Sequence, residues 1–136
     1  MKALSKRADE VFRKLIEGLT KPGDHRKIDN ANGSFMPVSV EIIGRSGLGL
    51  LISIAHWYEQ NRDLLRDPEV IFLIGADQHV YPLSFRQDNL GIDQEAAYVE
   101  DGVWKVRPKM QEDITKFCNM WLRNIKEQQQ LGVQSQ

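Results

Sequence analysis

The chain has 136 residues, of which 41% are hydrophobic and 27% are charged, a composition typical of one soluble globular domain. No segment approaches the roughly 20 apolar residues of a membrane-spanning helix, and the first residues lack the apolar centre of a secretory signal, so we expect a cytoplasmic protein without a membrane partner. The net charge of −1 hides a segregation, because residues 29–102 carry twelve acidic and four basic side chains while both flanking segments are basic. This segregation disfavours a uniformly basic nucleic-acid surface.

Amphipathic helices are predicted near both ends of the chain. The first follows Ser5, a residue typical of an N-cap, and ends at the sequence Lys-Pro-Gly over 21–23. The second begins at Pro108, which suits a first turn. Its periodicity is lost near Gln130, so we expect one domain over 1–130 and a frayed or disordered tail over 131–136. The apolar stripes consist of Ala8, Val11, Phe12, Leu15, Ile16 and Leu19 in the first helix and of Met110, Ile114, Phe117, Cys118, Trp121, Leu122 and Ile125 in the second.

The middle of the chain predicts strands joined by short links. Residues 24–35 are rich in Asn, Asp and Gly and predict a loop, and "FMPVSVEIIG" then alternates apolar and polar residues as a half-buried strand does. "LLISIAHWYE" predicts a second strand, two more begin at Asp67-Pro68 and after "GADQ", and Asp101-Gly102 is the pair that a type I′ hairpin turn prefers. Short links require antiparallel pairing. The sequence therefore predicts an α+β fold, a meandering antiparallel sheet of about five strands with N- and C-terminal helices packed on one face.

The stretch "HWYEQNRDLLRDPE" at 56–69 gathers the residues best suited to chemistry. His56 and Glu59 are candidate proton-transfer groups. Their spacing of three would bring the two side chains together on a helix but would point them to opposite faces of a strand. Asp63 and Asp67 would supply oxygen ligands to a hard cation. The alternative function that follows is a metal-assisted phosphoester hydrolase. A zinc module is disfavoured, because Cys118 is the only cysteine and no zinc-binding histidine spacing is present.

The same stretch has the composition of a protein-binding surface. Trp57 and Tyr58 lie among charged residues, and exposed aromatic side chains commonly anchor protein interfaces. Sheet aromatics also stack nucleic-acid bases in some proteins, but the acidity of this part of the chain disfavours that role. A second polar segment, 86–95, is expected to extend the surface. The predicted binding residues are Trp57, Tyr58, Glu59, Asn61, Asp63, Asp67, Arg86 and Asp88.

A family resemblance rests on four runs: "KIDNANGSFMPVSVE", "SIAHWYEQNRDLLRDPEVIF", "YPLSFRQDNLG" and "FCNMWLRNIKEQQ". Over residues 8–131 the chain resembles a family of short bacterial proteins of unknown function found on plasmids and integrative elements. The common form of the central motif in that family is closer to "AHYYEQNGDLMRDP", so Trp57 and Arg62 depart from it. The resemblance implies an accessory protein of mobile DNA that binds host or element proteins, including as an inhibitor of a defence system. It implies no activity, cofactor or catalytic residue.

Three hypotheses of different classes follow. The leading one is a non-enzymatic protein-binding module that uses an acidic surface, needs no cofactor and has a protein partner of open identity. The alternative is the hydrolase that uses His56 and the nearby carboxylates. The oligomeric state is left open. A weaker alternative is nucleic-acid binding by the basic helix faces. The basic residues of these faces are Lys6, Arg13, Lys14, Lys116 and Arg123.

Overall fold

The computed structural model describes residues 1–132. In this part of the chain two helices flank eight strands, which confirms the α+β class. The Ser5 side chain accepts a hydrogen bond from the backbone N–H of Ala8 at 3.3 Å and so caps the first helix as predicted. The end predicted at Lys-Pro-Gly is wrong, because the helix stops at Ile16, before Gly18 with its left-handed φ of 84°. Neither described helix has the length and apolarity needed to cross a membrane. In chain order the elements are α1 (Lys6–Ile16), β1 (His25–Ile28), β2 (Val38–Ser46), β3 (Gly49–Gln60), β4 (Asp63–Gly75), β5 (Val80–Gln87), a short 3₁₀ turn (Asp88–Leu90), β6 (Ile92–Glu95), β7 (Ala97–Glu100), β8 (Val103–Val106) and α2 (Pro108–Gln128).

Strands β1 to β6 form one antiparallel sheet in which each strand pairs with its neighbour in sequence, so the predicted meander is confirmed. Over residues 1–132 this sheet has six strands, because two strands that were not predicted, β1 in the loop over 24–35 and β6, belong to it. The predicted hairpin of β7 and β8 forms a separate two-stranded sheet. β1 pairs with the beginning of β2, from Ile28 opposite Val38 to His25 opposite Glu41. Its four residues are too few to show a period, and pairing with β2 decides their conformation.

One face of the sheet, here called the inner face, carries the main core. Both helices pack on it, as predicted. The ring centroids of Phe12 in α1 and Phe72 in β4 are 5.1 Å apart, and those of Phe117 in α2 and Phe85 in β5 are 5.2 Å apart. Cys118 is buried in the same core, and this burial raises the pKa of its thiol. The buried strand residues of this core are Val38, Val40, Ile42, Ile52, Ile54, Val70, Phe72 and Val80.

The opposite face, the outer face, is partly covered by the hairpin of β7 and β8. Asp101 and Gly102 have φ angles of 53° and 76°, which confirms the predicted two-residue turn with left-handed backbone. Trp104 of this hairpin packs, together with Ala97, against Leu73 and Leu83 of the sheet. The sheet therefore has a large inner core and a small outer one.

A buried glutamine lies near the beginning of α2. The side-chain amide of Gln111 accepts a hydrogen bond from the Lys2 N–H at 2.7 Å and donates to the Lys2 carbonyl at 2.9 Å. The same nitrogen lies 3.1 Å from the Pro82 carbonyl of β5. The segment before α1 is therefore fixed to both α2 and the sheet by one side chain.

A second buried glutamine, Gln129, follows the end of α2. Its side-chain oxygen accepts a hydrogen bond from the Asn30 N–H at 2.7 Å, and its nitrogen donates to the Met36 carbonyl at 3.1 Å. Leu131, which belongs to the predicted frayed tail, packs against the inner core. The chain thus remains in contact with the domain up to this point, and the rest of the predicted tail, 133–136, lies outside the described residues.

Replacement of Gln129 by methionine tests this connection. Gln129→Met keeps an unbranched side chain of similar length but removes the partners of the Asn30 N–H and the Met36 carbonyl. Because buried polar groups without partners are costly, we expect the free energy of unfolding to fall by about 1–3 kcal/mol. The control, Gln128→Met at the half-exposed neighbouring position, should change it by less than about 0.5 kcal/mol. Urea unfolding measures both, and equal effects would contradict the connecting role.

Candidate functional site

The stretch "HWYEQNRDLLRDPE" forms the outer part of a long hairpin made by β3 and β4. Residues 57–60 of β3 pair with residues 63–66 of β4. The pairing of β3 with β2 begins at His56, and the pairing of β4 with β5 begins at Glu69. The hairpin therefore projects beyond both neighbouring strands. Residues 57–66 are called the β-arm below.

A two-residue turn at Asn61 and Arg62 closes the β-arm. Their φ angles are 52° and 69°, both in the left-handed region that a type I′ turn requires. Asparagine adopts this conformation readily, whereas at the second position glycine is preferred because a β-carbon is strained there. In this chain an arginine occupies the second position.

β4 begins at Asp63, so the strand start predicted at Asp67-Pro68 is wrong. A register shift places these two residues opposite the single residue His56, which is a β-bulge. Because Pro68 has no N–H to contribute to the ladder, the bulge lets β4 continue past it. The polar residues before the bulge gave no apolar alternation from which the strand could be recognised.

The β-arm has two faces with different side chains. Trp57 pairs with Arg66 and Tyr58 pairs with Leu65, and alternation along the strands places the two pairs on opposite faces. Both aromatic residues are half-buried. Leu64 is 63% exposed, slightly more than the strand residues Val103 at 57% and Val99 at 55%. The exposed apolar anchor of the arm is therefore a leucine that the sequence analysis did not single out.

An ion pair fixes the base of the β-arm. The guanidinium of Arg66 binds Asp88 through two contacts of 3.0 Å, and the Arg66 backbone N–H donates to the same carboxylate at 2.7 Å. These bonds hold the pKa of Asp88 below its usual range. A second carboxylate, Glu69, lies 3.6 Å from the Arg66 guanidinium. A bidentate arginine–carboxylate pair is geometrically specific, so it fixes the position of β4 relative to the 3₁₀ turn.

The structure brings three predicted binding residues, Asp67, Arg86 and Asp88, to this same region. Arg66 was not predicted, because its partner becomes apparent only when the strand register is known. The group formed by Arg66, Asp67, Glu69, Arg86, Gln87, Asp88 and Asp93 is called the arm base. Its other contacts are Arg86 with Asp93 at 3.0 Å, Gln87 with Asp67 at 2.7 Å, and Glu69 with Ser53 at 2.6 Å.

His56 belongs to the inner core. It is 5% exposed, its Nδ1 lies 3.1 Å from the Pro37 carbonyl oxygen, and its ring contacts Trp121 edge-on with centroids 5.5 Å apart. Burial lowers the pKa of His56, an effect that the Pro37 carbonyl and the charge of Asp67 oppose. This environment is that of a packed histidine kept neutral.

The remaining candidate residues do not join His56. Glu59 lies three residues further along β3, in the exposed outer part of the β-arm. Asp63 and Asp67 lie four positions apart along β4, which corresponds to about 13 Å between their backbones at the usual rise per residue. Within residues 1–132 no group of three or more His, Cys, Asp or Glu side chains is placed to hold a metal ion. The described residues therefore do not assemble the ligand set on which the hydrolase hypothesis depends.

Comparison with known proteins identifies the family. One family model, that of a domain of unknown function (DUF6908), matches residues 6–131. The chain belongs to this family. The DUF6908 match covers every element from α1 to α2, including the β-arm and the arm base. No curated protein and no solved structure matches the chain.

Arg62→Gly tests the strain in the turn. Because arginine is held at a φ of 69° and glycine adopts that angle freely, we expect this substitution to raise the free energy of unfolding by about 0.5–1 kcal/mol. Arg45→Gly, at an exposed position in the extended strand β2, is the control and should lower it. Chemical denaturation of both variants measures the effect. A loss of stability in Arg62→Gly as large as that of the control would show that the turn is not strained.

His56 predicts a particular dependence of stability on pH. Because its pKa is lower in the folded than in the unfolded protein, the unfolded state binds the proton first as the pH falls. Stability is therefore complete above the ordinary pKa of about 6.5 and is lost below it, by up to about 1.4 kcal/mol per pH unit. We expect His56→Gln to flatten the unfolding free energy between about pH 7.5 and pH 5.

The control for this experiment is His25→Gln, because His25 is exposed on the edge strand. Its unfolding free energy should follow the wild-type curve over the same pH range. Urea titrations at several pH values give the slopes for the three proteins. An unchanged slope in His56→Gln would contradict the assignment of a buried, neutral histidine.

Proposed function

We propose that the protein is a non-enzymatic binding module and that the β-arm is the element that docks on a protein partner. One observation carries this proposal: the β-arm projects beyond the sheet and carries Leu64 63% exposed at its outer part. An exposed apolar side chain on a projecting hairpin is suited to insertion into a pocket of another protein. Trp57, half-buried and on the same face of the β-arm as Leu64, would widen the apolar contact around it.

The charge of this surface supports a partner of complementary, basic chemistry. The two predicted segments, 56–69 and 86–95, contain seven acidic and three basic side chains. Two of the three basic groups, Arg66 and Arg86, are engaged by carboxylates of the arm base. The surface offered to a partner is therefore acidic around an apolar centre. A complementary protein presents an apolar pocket with lysine and arginine residues at its rim.

The arm base supports this role by holding the β-arm in one orientation. The Arg66–Asp88 contact involves both guanidinium and backbone donors, so one end of the arm is fixed before any partner binds. A contact surface that is already ordered loses less conformational entropy on docking. The ion pair therefore contributes to affinity without touching the partner.

The resemblance to plasmid-borne and integrative-element proteins suggests where such a partner belongs. We infer that the chain is a bacterial accessory protein of mobile DNA and that its partner is a host or element protein. Inhibition of a defence protein by occlusion of a basic surface is the specific form of this proposal that the acidic β-arm favours. Nucleic acid is not favoured as the ligand of this surface, because its phosphates would be repelled.

Leu64→Ser tests the docking role of the β-arm. We expect the variant to fold normally and to bind the partner about tenfold or more weakly, because the apolar anchor is lost. The matched control is Val103→Ser, since Val103 is also a strand residue, is 57% exposed and lies in the β7–β8 hairpin. Partners are isolated from a lysate of the encoding organism with each protein, and the affinity of the purified partner is then measured.

Electrostatics provides a second criterion in the same experiment. Affinity for the wild type should fall as NaCl is raised from about 50 mM to about 500 mM, because exposed charge pairs are screened. Glu59→Lys combined with Asp63→Lys should weaken binding further at low salt. The proposal is wrong if the captured proteins bind Leu64→Ser and Val103→Ser equally well.

A further inference from the structure

A cleft of about 390 Å³ lies between α1 and α2, and it shares no lining residue with the β-arm or the arm base. Arg7 and Lys14 line it from α1, and Arg123 and Lys126 line it from α2. The buried Val11 contributes an apolar patch. A volume of this size is at the lower end of the roughly 300–1,000 Å³ typical of small-molecule sites.

The four basic side chains of this cleft have no acidic partner within salt-bridge distance among residues 1–132. Other basic residues of the same helices are paired: Arg13 with Asp9, and Lys116 with Glu112. Of the residues predicted to form a basic nucleic-acid surface, Lys14 and Arg123 are thus the two that line the cleft. Among residues 1–132, five basic side chains of α1 and α2 form no salt bridge, and four of them line the cleft, the exception being Lys6.

Two lysines from different helices reach the same place. A β-carbon built on Gly132 would lie 3.4 Å from Nζ of Lys14 and 3.3 Å from Cε of Lys126. Like charges held near one another repel unless a negative group lies between them. Their convergence is therefore favourable when an anion occupies the cleft.

The geometry points to a compact ligand with two or more linked phosphate groups, of the nucleoside di- or triphosphate class. Arginine guanidinium groups bind phosphate oxygens in pairs, and lysine ammonium groups add point charges, so the four side chains match such a ligand. Glu10 and Glu127 also line the cleft, so its lining carries four basic and two acidic side chains. The bounded volume favours a compact anion over a nucleic acid.

The experiment uses inorganic tripolyphosphate and ATP as probes with the full chain. Isothermal titration calorimetry at about 50 mM NaCl measures binding to wild type and to the double variant Lys14→Gln/Arg123→Gln. We expect saturable one-to-one binding to wild type, weakened by about tenfold or more in this variant. The control is Lys6→Gln/Lys109→Gln, which removes one positive charge from each helix outside the cleft and should change affinity by less than about twofold.

Backbone amide NMR spectra provide the second measurement. Addition of tripolyphosphate should shift resonances of α1, of α2 and of Gly132, and the spectra of both double variants without ligand show whether they fold. Absence of saturable binding overturns the proposal. So does equal weakening in the control variant, and so does tighter binding of duplex DNA than of tripolyphosphate at equal phosphate concentration. None of these outcomes bears on the β-arm, because the two sites share no residue.

Discussion

Two glutamine side chains, one near each end of α2, connect the irregular parts of the chain to the domain. Gln111 holds the segment before α1, and Gln129 holds the loop between β1 and β2. Each amide has both a donor and an acceptor, so it can satisfy a backbone N–H and a backbone carbonyl at once. No buried side-chain polar atom in residues 1–132 is left without a partner. With both ends of α2 fixed in this way, the helix covers the inner face in one position.

The β-arm depends on this arrangement. His56 is packed beneath Trp121 of α2, and the β-bulge opposite His56 is the point where the β-arm leaves the sheet. On the other side, Arg66 and Asp88 hold the arm to the 3₁₀ turn. A buried aromatic contact and an ion pair therefore fix the base of the arm from two directions. The tip of the arm consists of the two-residue turn at Asn61 and Arg62.

Patterns with a clear period predicted much of the fold. The N-cap of α1, the alternation in β2 and the Asp101-Gly102 turn are local features, and each is present where the sequence placed it. The end of α1 was misplaced, because the helix stops before Gly18 and not at Lys-Pro-Gly. β1 was missed because four residues cannot display a period, and the start of β4 was misplaced because polar residues surround Pro68. Propensity is weak at such positions, and pairing with a neighbouring strand decides the conformation.

The candidate site was predictable in its location but not in its arrangement. Asp67 precedes Arg86 and Asp88 by about twenty residues in sequence, and only the register of β4 and β5 brings the three together around Arg66. His56 had the composition of a catalytic residue, but side-chain direction along β3 places it in the core. Face and register are properties of the whole sheet, so no local pattern contains them.

The position of α2 in the chain also affects how the protein is made. Every strand precedes this helix, yet Leu122 and Ile125 of α2 complete the core over the inner face. Neighbouring strands can pair as they leave the ribosome, because their contacts are close in sequence. The part of the apolar inner face that α2 covers then stays exposed until α2 emerges. Synthesis thus separates the formation of the sheet from the burial of its core, and chaperone binding is most favourable in that interval.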